Sequence, residues 1–226
     1  MTPILVVASI LIIATLRWFL QAKQERVTEA ALALGSIPLG IEFQPGQPPP
    51  QLLFHPGHTW VHLHENGLAT IGVTEFASNF AGMLTKVEVP RVGERLRRGD
   101  AAWTLVSRKQ RQLEQSMPIG GRVLAVNNKL LENPDLAQQS PYENGWVLRV
   151  QPGKQPLLNT DFLTDSAIIA WFESARDVIA SRLSPALGAV AQDGGEWLTA
   201  FGDQLEDSEW ELLKQELFTD SRSIDI

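Results

Sequence analysis

The chain has no cysteine. Disulfides, thiol nucleophiles and cysteine zinc sites are therefore excluded. Positive charge is in deficit, with a net charge of −7 over 226 residues. That balance argues against nucleic acid as a partner. No serine elbow, no phosphate-binding glycine loop and no paired-carboxylate setting occurs. The chain carries no catalytic constellation and reads as a carrier or binding module, not an enzyme. Side-chain positive charge is also missing ahead of the first apolar run, since Met1-Thr-Pro3 supplies none. A secretory signal peptide would need it.

That run, Pro3 to Leu20, is interrupted only by Arg17. Spanning a bilayer takes roughly 17–25 residues, so the run is long enough. Arg17 lies near one end, where its stem can snorkel, and Trp18 suits an interface. Arg17 near the end of the run and Lys23 and Arg26 after it place the rest of the chain on the cytoplasmic side of the inner membrane. Residues 1–22 are thus expected to be a single-pass transmembrane anchor. Residues 23–52 read as a polar helix and a semi-stiff linker with Pro38, Pro45 and Pro48-Pro49-Pro50. Residues 53–183 form the expected main domain, and 184–226 a helical extension.

The main domain is organised around Gly99 to Asn127. Ala102–Val106 is rich in strand formers, and Gly121–Val126 is expected as its hairpin partner. Between them Ser107 to Gln112 carries three positive charges and no apolar side chain. Such a tip is expected to project into water, with Lys109 near its centre. An exposed amine on a rigid sheet is what an attached swinging arm requires.

Earlier in the domain, Glu65-Asn66-Gly67 is a hairpin turn signal, with strands expected on either side and the second over Leu68–Val73. Thr74 is placed to cap a short helix through Ala81, with Phe76 and Phe80 at i and i+4. Leu84–Val89 reads as a strand and Arg91–Arg98 as a basic surface loop that joins the basic tip in one positive face. A strand ends near Val150. A helix is expected over Thr160–Leu183, with Asn159, Thr160 and Asp161 as capping candidates. A second is expected over Glu196–Phe218, either covering the domain or docking a partner. All four histidines, His55, His58, His62 and His64, fall in ten residues. No cysteine or acid joins them, so no metal is expected there, and a metal-binding sensor is the least favoured function.

The order of short motifs resembles the H protein of the glycine cleavage system, from about Phe54 to Ile179. His58-Thr59-Trp60-Val61 is similar to that family's His-Glu-Trp-Val. Ala69 to Thr74 resembles its Ala-Thr-Val-Gly-Ile-Thr, and Val87 to Gly93 its Val-Glu-Leu-Pro-x-Val-Gly. Gly99, Pro118, Gly121, Asn127, Asn133-Pro134, Leu136, Pro141-Tyr142 and Gly145-Trp146 keep the family spacing. The resemblance implies a mainly β, lipoyl-domain-like antiparallel sandwich or flattened barrel with C-terminal helices. It also implies a lipoyl arm and partner enzymes of the glycine-cleavage or lipoyl pathway.

Counting from Gly99, Lys109 lands on the family's lipoyl lysine. Counting back from Pro118, Gln110 does, so one residue has been added within the tip. The family's Glu-Ser-Val-Lys-Ala-Ala-Ser-Asp is replaced by Val106-Ser107-Arg108-Lys109-Gln110-Arg111-Gln112-Leu113. These changes favour a membrane-tethered binding or scaffold module without lipoate. The alternative is an active lipoyl carrier using Lys109.

Overall fold

The computed structural model describes residues 51–153, 162–163, 165–187 and 199–218, together with Ile13, Thr15 and Arg17. The expected transmembrane run, its polar continuation and the proline-rich linker lie otherwise outside the described residues. Among the described residues no helix is long and apolar enough to cross a membrane. The chain divides into two units, Met1–Ile37 and Pro38–Ile226, and the second carries everything below.

Among the described residues nine strands form two antiparallel sheets. The larger contains β1 (Leu53–His55), β2 (Thr59–Leu63), β3 (Ala69–Val73), β5 (Arg95–Leu96), β8 (Gly121–Val126) and β9 (Leu148–Pro152). Its spatial order is β1-β2-β3-β9-β8-β5. The smaller contains β4 (Leu84–Glu88), β6 (Ala101–Ser107) and β7 (Gln112–Ser116), in the order β4-β6-β7. Val61, Ile71, Val123, Leu148 and Val150 from the first sheet share one core with Val87, Leu105 and Leu113 from the second. This is the mainly β, two-sheet architecture the motif order implied.

Local chemistry explains the first half of the domain. Gly67 takes a φ of 78° in the β2–β3 turn, a conformation open to glycine at no steric cost. Trp60 lies directly over Gly72, where an added Cβ would sit 2.3 Å from the indole. Its Nε1 donates to Val73 O at 2.9 Å, so this buried indole is fully partnered. The structure adds β1 ahead of β2 and buries Thr59–Val61 completely. Exposure rises only at the end of β2, at His62 and Leu63. Thr74 caps helix α1 (Glu75–Ala81), its side chain accepting from Ala77 N. Helices α2 (Asn128–Glu132) and α3 (Leu136–Gln139) follow, and then α4 (Asp165–Leu187). Helix α4 begins later and runs further than expected, and the proposed caps at 159–161 lie outside the described residues.

Two expectations are corrected. Gly121–Val126 is not the hairpin partner of β6. It pairs with β9 and β5 in the larger sheet, while β6 pairs with β7. Strand β7 contains one strongly apolar residue, Leu113, so its pattern does not announce a strand. Nor is the C-terminal segment one continuous helix over its described part. A 3-10 turn at Phe201–Gln204 precedes α5 (Asp207–Phe218), with Leu205 extended between them. Phe201, Leu205, Trp210 and Leu213 are buried, so the segment packs as a cap on the domain.

Candidate functional site

The β6–β7 hairpin turns through Arg108, Lys109 and Gln110. Gln110 N donates to Ser107 O at 2.9 Å, and Ser107 N to Arg111 O at 3.0 Å. Gln110 adopts a φ of 62°. A tight turn followed by one left-handed residue is a standard three-residue hairpin loop. Next to the turn the strands pair regularly, from Val106 opposite Gln112 to Trp103 opposite Gln115, and the register shifts between Ala101 and Trp103. Arg108 N donates to Met83 O at 2.7 Å, bracing the turn against the entry of β4.

Arg108, Lys109 and Gln110 are exposed, as expected. Arg111 is not. It is 7% exposed and bound by the C-terminal cap. Its Nη1 donates to Gly202 O at 2.6 Å and its Nη2 to Leu205 O at 2.7 Å. Its Nε donates to Asp207 at 3.0 Å, and the guanidinium lies 5.5 Å from the Trp210 ring centre. The hydrogen bonds from Arg111, reinforced by its charge, hold the Asp207 carboxyl below its usual range. Lys109 Nζ makes a long contact, 3.5 Å, to the same Leu205 carbonyl. The cap therefore flanks the tip without burying Lys109.

Further bonds seat the cap on α1. Ala200 N donates to Asn79 Oδ1 at 2.9 Å, and Met83 N donates to Asp203 Oδ2 at 3.0 Å. Trp210 Nε1 donates to Phe80 O at 2.9 Å, satisfying a carbonyl at the end of α1, and the two rings stack at 5.3 Å. Gly202 runs so close that an added Cβ would fall 1.8 Å from Phe80 O. Sequence reasoning missed Arg111 as an anchor. A basic residue in a polar run gives no local sign that its acceptors lie 91 to 96 residues away.

The basic loop does not merge with the tip. Asp100 precedes β6 at the end where Met117 N donates to Asp100 O, while Lys109 follows β6 at the other. Arg91, Arg95, Arg97 and Arg98 are exposed there, beside Arg122 on β8.

The four histidines separate into different environments. His55 Nδ1 accepts from Gly57 N at 3.1 Å. His58, with a φ of 61°, is packed among Phe76, Trp171 and Phe218 at ring-centre distances of 4.5, 4.2 and 4.8 Å. Burial, and then His55, lower its pKa to about 3. On the strand the His62 and His64 rings meet at 4.7 Å, sharing one face as the alternation requires. His64 bonds Thr70 Oγ1 at 2.7 Å, and burial followed by His62 and Arg149 lowers its pKa to about 4. Among the described residues no group of three or more His, Asp or Glu is placed to hold a metal.

The chain was compared with known proteins. The family model for Glycine cleavage H-protein matches residues 52–173. A glycine cleavage system H protein of Chromobacterium violaceum is 35% identical over 122 residues, covering 54% of this chain and 93% of that protein. One from Streptomyces avermitilis is 32% identical over 119 residues, covering 52% and 94%. Among solved structures, a glycine cleavage system H protein from Mycobacterium marinum superposes with a TM-score of 0.50 at 25% identity, covering 56% of this chain and 99% of that one. The family match contains both sheets and the exposed tip lysine, and it ends at residue 173, ahead of the cap. On that match, and on the two-sheet fold that carries it, the chain belongs to the glycine cleavage H-protein family.

Proposed function

We propose that this chain is a membrane-tethered carrier module of the H-protein type, with Lys109 as the attachment point of a lipoyl arm. One observation carries this reading: Lys109 stands exposed in a braced three-residue turn at the end of a regularly paired stretch of the β6–β7 hairpin. The site fits the group, because amide formation needs an amine that projects beyond the sheet with room around it. When bound, the lipoyl group supplies a dithiolane that accepts and releases the carried moiety. The chain's own residues do the rest. The β6–β7 hairpin fixes the point from which the arm swings, and Arg111 ties the tip to the cap. Enzymes of a glycine-cleavage or lipoyl pathway are the partners this role requires. The apolar run Pro3–Leu20 supports the tether, with the domain on the cytoplasmic side.

A second reading, a binding or scaffold module without lipoate, is favoured by the cap. It places Leu205 O against the lysine and Asp207 beside it. Arg108 and Arg111 flank Lys109 where the resembled family motif has small residues. The two readings separate by intact mass after expression in lipoate-fed cells. A shift of one lipoyl group, lost in Lys109→Ala, is the expected result. An unshifted mass, with an H protein of the family fully modified in the same cells, refutes the carrier and leaves the scaffold.

A further inference from the structure

We propose that the arginine-rich end of the domain, formed by Arg91, Arg95, Arg97 and Arg122, docks on anionic lipid headgroups and thereby points the carrier tip away from the bilayer. This rests on the membrane-tethered reading above.

The first support is a charge arrangement that folding does not explain. Arg95 and Arg122 lie directly opposite each other in the β5–β8 register. Like charges in that position oppose strand pairing. Among the described residues none of the four arginines makes an ion pair. The two acids in the loop are occupied by backbone: Glu94 accepts from Arg91 N at 3.0 Å and Asp100 from Arg97 N at 2.6 Å. Arg122 is tied by Nε to Gly93 O at 3.2 Å, which keeps its charge at this end. Arginines on an edge strand discourage pairing between chains. Strand β5 is only Arg95–Leu96, however, so Arg91 and Arg97 lie outside that role. Val92, 50% exposed, is an apolar side chain next to Arg91 in the loop. Basic side chains around one exposed apolar residue suit a headgroup surface.

The second support is polarity along the domain. The loop sits at the start of β6 and the tip at its end, seven residues away, or about 23 Å. At the tip end the cap exposes Glu206, Asp207, Glu211 and Glu216. Arg108, Lys109, Arg111 and Lys214 share that end with those acids, so its charges nearly balance and an anionic leaflet attracts the arginine-rich end of β6 in preference. With a net charge of −7, the chain as a whole is not drawn to such a surface, so attraction depends on local basic patches. Each arginine near an anionic leaflet strengthens attachment by roughly fivefold. Lys109 then faces the aqueous side, where soluble partner enzymes meet it.

The absence of native cysteine makes the test direct. Full-length Val92→Cys and Leu212→Cys chains each carry one environment-sensitive fluorophore at an exposed position. They are reconstituted with vesicles of phosphatidylcholine alone, or of phosphatidylcholine with phosphatidylglycerol. The expected result is a blue shift and shielding from an aqueous quencher at position 92 with phosphatidylglycerol only, reversed by raised salt. Position 212 stays unshifted, and adding Arg95→Gln and Arg97→Gln abolishes the shift at 92. An unmoved label at 92 in a chain that floats with phosphatidylglycerol vesicles overturns the proposal and leaves an acidic protein as the patch's partner. Equal shifts at 92 and 212 also overturn it. Flotation with phosphatidylcholine alone reports the tether independently. A chain that floats only with phosphatidylglycerol lacks the tether and keeps the docking surface; one that floats with neither loses both.

Discussion

Replacing Arg111 by alanine is expected to release the C-terminal cap while leaving the sheets intact. Arg111 supplies the donors at 2.6 and 2.7 Å for the carbonyls of Gly202 and Leu205, both buried residues. Stranding a buried acceptor costs about 1–3 kcal/mol, so losing both costs about 2–6 kcal/mol. The Asp207 bond adds little, because its side chain is 86% exposed and its ion pair is screened by water. Hydrogen exchange on the full chain measures the outcome. Amides of 199–218 are expected to exchange at least roughly 30-fold faster in Arg111→Ala, the equivalent of 2 kcal/mol. Those of β6 and β7 away from the turn should stay within a few-fold of the parent chain. Asp207→Asn should change cap exchange only slightly. Unchanged cap exchange in Arg111→Ala, or an equal effect of Asp207→Asn, refutes the assignment of the anchor to the buried carbonyls.

Gly202→Ala should release the cap as well, because its Cβ would meet the Phe80 carbonyl at 1.8 Å; limited proteolysis after Leu205 reports it. Gly72→Ala drives a methyl into the Trp60 ring and is expected to cost about 1–3 kcal/mol in denaturant unfolding. His58 is held neutral, with its pKa lowered from 6.5 to about 3, so the unfolded chain takes up a proton that the fold refuses. Its contribution is complete above pH 6.5 and declines toward pH 3 by up to about 1.4 kcal/mol per pH unit. His58→Asn should flatten that slope in unfolding titrations. Asp207 has a depressed pKa, so its contribution holds above the ordinary carboxylate range and fades as pH falls through the lowered value. Cap exchange, corrected for its intrinsic pH dependence, should rise only slightly over that interval, and that small rise should be missing in Asp207→Asn. A reporter fused after Ile226 should be active in a cytoplasmic format and silent in an exported one; the reverse refutes the orientation taken from Arg17, Lys23 and Arg26.

What could be read from the sequence was local. The Asn66-Gly67 turn, the Thr74 cap and the Phe76/Phe80 pair each depend on neighbours within four residues, and each stands where the residues put it. The β6 tip was legible because a charged run cannot be buried without partners. Arg111 escaped that rule because the partners exist, but they come from the far end of the chain. Strand β7 was invisible because its inward positions are Leu113 and Gln115, and one apolar residue makes no alternation. The break at Leu205 was hidden for the opposite reason. Phe201, Leu205 and Leu213 are buried on either side of it, so apolar spacing runs through an interruption that only backbone contact with Phe80 and Met83 imposes. His58 looked like part of a metal-type cluster. Its surroundings come from α1, α4 and α5, three elements separated in sequence.

The order of synthesis gives the cap a further consequence. Gly202 lies 91 residues beyond Arg111, so the tip leaves the ribosome well before anything that can cover its flank. At 5–20 residues per second the delay is roughly 5–20 s. During it the hairpin can pair and the two sheets can close, since every strand among the described residues precedes residue 153. Lys109 spends that interval on a nascent chain without Leu205 beside it. An enzyme that modifies the lysine thus meets its least crowded substrate on the ribosome, and the finished protein carries the more guarded form.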